Sequence, residues 1–287
     1  MPQPFAQEGG SNVGENTKIT WTDHSYNPWI GCQVVTEEEC GDCYAKRWAH
    51  RHRLDVWGPL FQTTRKLTKT GNDPLKWNKQ AEQEGRRFKV FCASLADVFE
   101  PHPDVVNARH RLWEIVEQTP SLDWQLLTKR PKFIKQLIPQ TWLQHWPEHV
   151  WIGTSVGTQQ AAEKRINYVL DLPAPVIFLS CEPLVEQIVL SPWLARKKIN
   201  WVICGGYSGS QNRPMELAWA RALRDECHAY EVPMYMKQLG TVYAKHHHLR
   251  YWKGEDMEEF PDDLKIRDFP GGKKTLTQTL AHLDECW

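Results

Sequence analysis

The stretch "VWIGTSVGTQQAAEKRINYVLDLPAPVIFLSC", residues 150–181, decides the fold. It opens and closes on nearly unbroken apolar runs, "VWIGTSV" (150–156) and "VIFLSC" (176–181), of the kind strands buried on both faces carry. Between them "TQQAAEKRINYVLDL" (158–172) has helical periodicity, with Thr158 placed as an N-cap. Similar runs flank this unit: "KITW" (18–21), "KVFCASL" (89–95), "WQLLT" (124–128), "WVICGG" (201–206) and "PMYMKQ" (233–238). Helical patterns cover 103–119 and 215–230, and Pro131 suits a helix start. Strand ends near 95, 128, 155, 180 and 205 lie 33, 27, 25 and 25 residues apart, the size of a βα unit. The expected fold is therefore α/β, a partial (β/α) barrel of six or seven mostly parallel strands. No G-x-G-x-x-G follows the first strand and no Walker motif occurs, which excludes the common nucleotide folds.

The first gap is anomalous, with nearly 70 residues between Trp21 and the second run. A helical insert after the first strand fills it, and its part from 45 to 88 is basic and aromatic. Between Ala45 and Lys89 there are 12 Lys or Arg against four Asp or Glu, with Trp48, Trp57, Phe61 and Trp77 interleaved. Cations hold phosphates and aromatics stack on bases, so the insert 45–89 suggests a nucleic acid or nucleotide partner. Residues 1–16 are polar and read as a flexible lead, 17–240 as the barrel, and 241–287 as an extension. The acidic "GEDMEEFPDDLKIRDFP" (254–270) reads as a strap across the domain.

Of the 287 residues 41% are hydrophobic and 15 are Trp, enough for a large core. The 35 basic and 35 acidic residues balance, so net charge decides nothing about partners. No apolar run is long enough to span a membrane and the N-terminus has no signal pattern. Eight cysteines are too sparse for a disulfide scaffold, and a cytoplasmic protein with reduced thiols is expected. The internal His246–His248 run is no terminal tag.

Three of the cysteines cluster in "IGCQVVTEEECGDCYAKRW" (30–48), as Cys32, Cys40 and Cys43. C-x2-C lets two sulfurs reach one metal or cluster, and Gly41 and Asp42 suit the turn between them. His50 or His52 would complete a Cys3His zinc site, although both sit in a basic helix at spacings no common finger uses. A [4Fe–4S] cluster on three cysteines leaves one iron open instead. Glu37, Glu38 and Glu39 in the seven-residue gap have no evident role in the sequence.

The opening "WTDHSYNPWIGC…CGDCYAKR", with Tyr44 after the last cysteine, resembles the radical SAM superfamily. It is most similar to a phage-associated, three-cysteine-motif branch, through the ordered blocks "LLTKRP" (126–131), "WIGTSV" (151–156), "SCEPL" (180–184), "GGYSG" (205–209) and "KQLG" (237–240). The likeness covers roughly residues 17 to 270, and departs from the usual C-x3-C-x2-C in its longer first gap. It implies that Cys32, Cys40 and Cys43 hold a [4Fe–4S] cluster and that S-adenosylmethionine chelates the fourth iron. It also implies a 5′-deoxyadenosyl radical, a flavodoxin- or ferredoxin-like electron donor, and a cofactor-side place for Tyr44.

Barrel sites lie at the C-terminal strand ends, so polar residues there are further candidates. Asp97 would hold the ammonium of the methionyl group or cap a helix. Lys129 and Arg130 would meet a carboxylate or phosphate. Ser155 would bond a ribose hydroxyl or merely cap its neighbour, Glu182 would bond a ribose or the substrate, and Gly205, Gly206 and Gly209 would let backbone approach a ligand or form a tight turn. Cys181 would donate hydrogen to a radical, against the plainer part of a small core residue. Lys237 and Gln238 close the series.

Overall fold

The computed structural model describes residues 17–69, 71–209 and 213–271, so the expected lead at 1–16 and the end of the extension lie outside the described residues. Seven parallel strands curl into a half-barrel with helices around it. They are β1 (His24–Tyr26), β4 (Phe88–Cys92), β5 (Leu122–Thr128), β6 (Val150–Ser155), β7 (Val176–Cys181), β8 (Trp201–Gly205) and β9 (Met234–Gln238), in that spatial order. A two-residue antiparallel pair, β2 (Trp29–Ile30) with β3 (Lys66–Leu67), ties the insert to the end of β1. The main helices are α2 (Tyr44–Arg51), α3 (Asp73–Glu84), α4 (Val106–Glu117), α6 (Gln159–Leu170) and α8 (Leu217–Ala229). Short helical turns α1 (Glu37–Cys40), α5 (Ile134–Leu137), α7 (Ser191–Leu194) and α9 (Thr241–His246) complete the set. Thr158 caps α6 as expected, accepting from Ala161 N at 3.0 Å.

One strand departs from expectation. Residues 18–21 are not β1, which begins at His24. Trp21 instead packs into the concave face, 4.6 Å from Phe91, while the Thr22 hydroxyl donates to Lys89 O at 2.9 Å. An apolar pair followed by a short polar strand gives a misleading sequence signal.

Alternation along each strand divides the core. Ile177, Leu179 and Cys181 face the helices, while Val176 and Phe178 face the concavity. The concave core is aromatic and centred on Trp201, whose ring meets Trp21, Trp151, Phe178, Tyr235 and Phe269. This aromatic layer fills the lower part of the half-barrel. The same faces end, at the C-terminal strand ends, in Lys129, Ser155, Glu182, Gly205 and Lys237. Gly153 lies under Phe178, where a Cβ would stand 2.5 Å from the ring.

The acidic extension does strap the open edge. Met236 N donates to Ile266 O at 2.8 Å and Asp268 N to Met234 O at 3.0 Å, which satisfies the outer side of β9. Arg221 and Arg224 on α8 both pair with Asp263. No helix among the described residues is long and apolar enough to cross a membrane.

Because Gly153 gives way to the Phe178 ring, Gly153→Ala is expected to cost about 1–3 kcal/mol in urea unfolding. In a Phe178→Ala background the same change should cost markedly less. Equal costs in both backgrounds would contradict this packing.

Candidate active site at the C-terminal strand ends

The cysteine loop lies over the mouth of the half-barrel and is tied down at both ends. At its start, Gly31 N donates to Leu95 O at 3.0 Å, and Gln33 N to Glu100 Oε1 at 2.9 Å. Gly31 has φ +120, and a Cβ there would meet Val56 O at 2.4 Å, so glycine is required. Glu100 is fully buried and takes a two-pronged bond from Arg65, Nε at 2.8 Å and Nη2 at 3.0 Å. At the other end Glu39 reaches back into the barrel. Its carboxylate accepts from Gly157 N at 2.9 Å and Thr36 Oγ1 at 3.1 Å, and pairs with Arg165 at 2.6 Å. The run of glutamates in the long gap thus includes the anchor of the loop.

The expected site residues separate into two groups. Asp97 accepts from Phe99 N (3.0 Å) and Thr128 Oγ1 (2.7 Å) on Oδ1, and from Lys129 N and Arg130 Nη1 (both 3.1 Å) on Oδ2. A carboxylate has about four acceptor positions. All are used within the protein, so Asp97 is a clasp between strand ends and leaves no acceptor for a ligand ammonium. Arg130 is likewise engaged, bonding Asp97, Gln33 O at 2.6 Å and Cys32 Sγ at 3.4 Å. It holds the loop and is not free to meet a substrate. Cys181 is fully buried on the helix-facing side of β7, and burial raises its pKa well above the ordinary thiol value. That position corrects the hydrogen-donor expectation to a core residue. Gly206 answers a chain crossing, since a Cβ would stand 2.3 Å from Leu239 O.

The second group borders the mouth. Lys129 Nζ donates to Ser155 Oγ at 3.3 Å and keeps further donors. Burial opposes its charge, but Glu39, Cys40 and Cys43 more than offset this and raise its pKa. Glu182 pairs with Lys237 at 2.5 and 2.7 Å, both side chains partly exposed. A Cβ on Gly205 would be in ordinary contact with Glu182, so this glycine leaves space beside the pair. The Tyr44 hydroxyl donates to Ser94 O at 2.5 Å.

The cysteines among the described residues, Cys32, Cys40 and Cys43 included, are free. Burial pushes the Cys32 thiol up to about 12, ahead of the opposing effect of Arg130. Among the described residues, no three His, Cys, Asp or Glu side chains gather closely enough to hold one metal ion. His52, the C-cap of α2, stacks on Trp48 at 4.0 Å and bonds Trp48 O. A Cys3His zinc site would need four donors to converge on one ion. The donor set does fit an iron–sulfur cluster in its chemistry. Three free thiols share one loop, two cations face them, and each thiolate of a cluster binds its own iron.

Residues 16–263 match the family model described as "Protein of unknown function (DUF5131)". The chain belongs to that family. No curated protein and no solved structure matches it.

The basic insert is partly neutralised, mostly by carboxylates outside it. Arg47, Arg65, Lys76, Arg86, Arg87 and Lys89, six of its 12 cations, pair with carboxylates. Trp77 is buried and stacks on His24 at 4.4 Å, so it is core and not a base platform. Phe61 stays exposed, and Lys66 and Lys69 stand exposed on and near β3.

Glu39, Glu100, Arg65 and Arg165 shape this site yet belong to no motif. Burying a charge without its partner is costly, so Arg165→Met should destabilise the fold by about 3–5 kcal/mol. It should also speed alkylation of Cys40, read peptide by peptide, while Cys204 and Cys227 in the core stay slow. Unchanged Cys40 labelling would refute the anchoring role.

Proposed function

We propose that the protein is a cytoplasmic radical S-adenosylmethionine enzyme acting on a nucleic acid or nucleotide. One observation carries this reading: a C-x7-C-x2-C loop of free thiols clamped over the C-terminal strand ends of a parallel half-barrel. That end is where barrel enzymes place their chemistry. Cys32, Cys40 and Cys43 would hold a [4Fe–4S] cluster. With S-adenosylmethionine bound, it would supply one-electron cleavage of the sulfonium to methionine and a 5′-deoxyadenosyl radical.

The chain's own residues then have definite parts. Arg130 and Glu39 fix the loop from opposite ends. Lys129 places positive charge beside Cys40 and Cys43, which favours an anionic group near them. Glu182 and Lys237 offer a carboxylate and an ammonium that can exchange each other for the hydroxyl, amine or carboxylate groups of a ligand. Gly205 leaves the space such a ligand would enter. The aromatic layer below, from Trp21 to Phe269, closes the half-barrel to water from the other end. The electron would come from a small flavodoxin- or ferredoxin-like protein.

Anaerobic reconstitution with iron and sulfide, then dithionite and S-adenosylmethionine, should yield 5′-deoxyadenosine. Cys40→Ala should lose iron and product together. Glu182→Gln should keep its iron and form product about tenfold more slowly or worse, because a charged hydrogen bond to the ligand is lost. Zinc uptake without iron, or a Glu182→Gln rate equal to wild type, would contradict the respective assignment.

A further inference from the structure

A cleft of about 770 Å³ lies beside the cysteine loop, between the start of α2 and the segment that follows β9. Its wall carries Arg47, Lys245, His248 and Arg250 with Trp252, and no Asp or Glu among the described residues. Lys245, His248 and Arg250 are exposed, and Trp252 is 60% exposed although it is among the largest apolar side chains. The ring meets Lys253 Nζ at 5.2 Å from its centroid, and a flat, anionic ligand would cover what remains exposed.

The cleft is firmly built. Residues 241–254 leave the barrel at Gly240 and return where Leu239 N and Gly240 N donate to Gly254 O (2.8 Å) and Lys253 O (2.9 Å). Thr241 donates its hydroxyl to Gly209 O at 2.7 Å and its amide to Tyr207 O at 2.9 Å. The segment is thus pinned to the ends of β8 and β9, at the mouth. Arg47 is shared between cleft and cysteine loop. It pairs with Asp42, between Cys40 and Cys43, at 3.2 Å and reaches Ser208 O at 3.4 Å. Arg47 follows Cys43 by one helical turn, a rise of about 6 Å.

We infer that this cleft binds single-stranded nucleic acid, with an unpaired base stacked on Trp252 and flanking phosphates on Lys245 and Arg250. This deepens the proposed function and rests on it for the placement of substrate beside the cysteine loop. Lys253 Nζ stands over the Trp252 ring, 5.2 Å from its centroid, so a base would stack on the area of the ring the ammonium leaves and must be free of its own partner; the described wall residues include cations and no acids, which matches a phosphate backbone. The surface that selects substrate is then mainly the C-terminal segment and not the insert, whose cations are half neutralised.

The test is fluorescence anisotropy of the full chain with labelled single-stranded DNA and RNA of about a dozen nucleotides. A duplex of the same sequence and unlabelled mononucleotides serve as competitors. Trp252→Ala should weaken binding on the order of tenfold. Arg250→Glu should weaken it too, and lower the salt slope by about one. Both side chains are exposed, and unchanged circular dichroism would show that the variants fold. Lys66→Glu/Lys69→Glu, on the insert, should bind as wild type. Binding is read on the protein without reconstitution or S-adenosylmethionine, so loss of the radical reading would leave this one standing. The relative affinity for DNA and RNA identifies which strand the cleft takes. No binding by wild type, insensitivity to Trp252→Ala and Arg250→Glu, loss on the insert variant, or equal competition by duplex or mononucleotide would each overturn the inference.

Discussion

The buried bond between Glu39 and Arg165 is the constraint on which the site depends. A loop of some dozen residues carrying three thiols would otherwise sample many conformations, and fixing each residue costs about 1–2 kcal/mol. Glu39 places one end of that loop on α6 and on the amide of Gly157, directly above the end of β6. The opposite end is held through Glu100, which engages Arg65 and Gln33 N where water cannot compete. In both places a carboxylate is removed from solvent and fully partnered, the condition under which a buried charge gives order and not strain.

The barrel supplies what those anchors need. Its strands are buried on both faces, and their C-terminal ends turn inward with Lys129, Ser155 and Glu182 above an aromatic layer. The extension closes the edge at β9 and continues the wall that presents Trp252 beside the cysteine loop. Scaffold, thiols and cleft therefore share one end of the molecule.

Much of this was legible in the sequence because fully buried parallel strands have continuous apolar runs. The unit 150–181 gives β6, α6 and β7 almost to the residue. The first strand was not legible. Ile19 and Trp21 look like a strand, yet they pack in the concave core, and the true β1, "HSY", is too short and polar to announce itself. Strand-end position found the mouth residues but could not tell clasp from contact, since Asp97 and Arg130 are distinguished from Lys129 only by partners distant in the chain. Cys181 could have been assigned from alternation alone. It shares a face with Ile177 and Leu179, opposite Val176 and Phe178. Glu39 gave no such signal, because its partner lies more than a hundred residues away on α6.

The central claim is that the three-cysteine loop holds a cluster with one iron open to a cofactor. Electron paramagnetic resonance of the anaerobically reconstituted, dithionite-reduced protein, recorded before and after adding S-adenosylmethionine, tests it most directly. A reduced [4Fe–4S] signal that changes on adding S-adenosylmethionine is the predicted result. A protein that takes up no iron, or a cluster whose signal is indifferent to S-adenosylmethionine, would contradict the account.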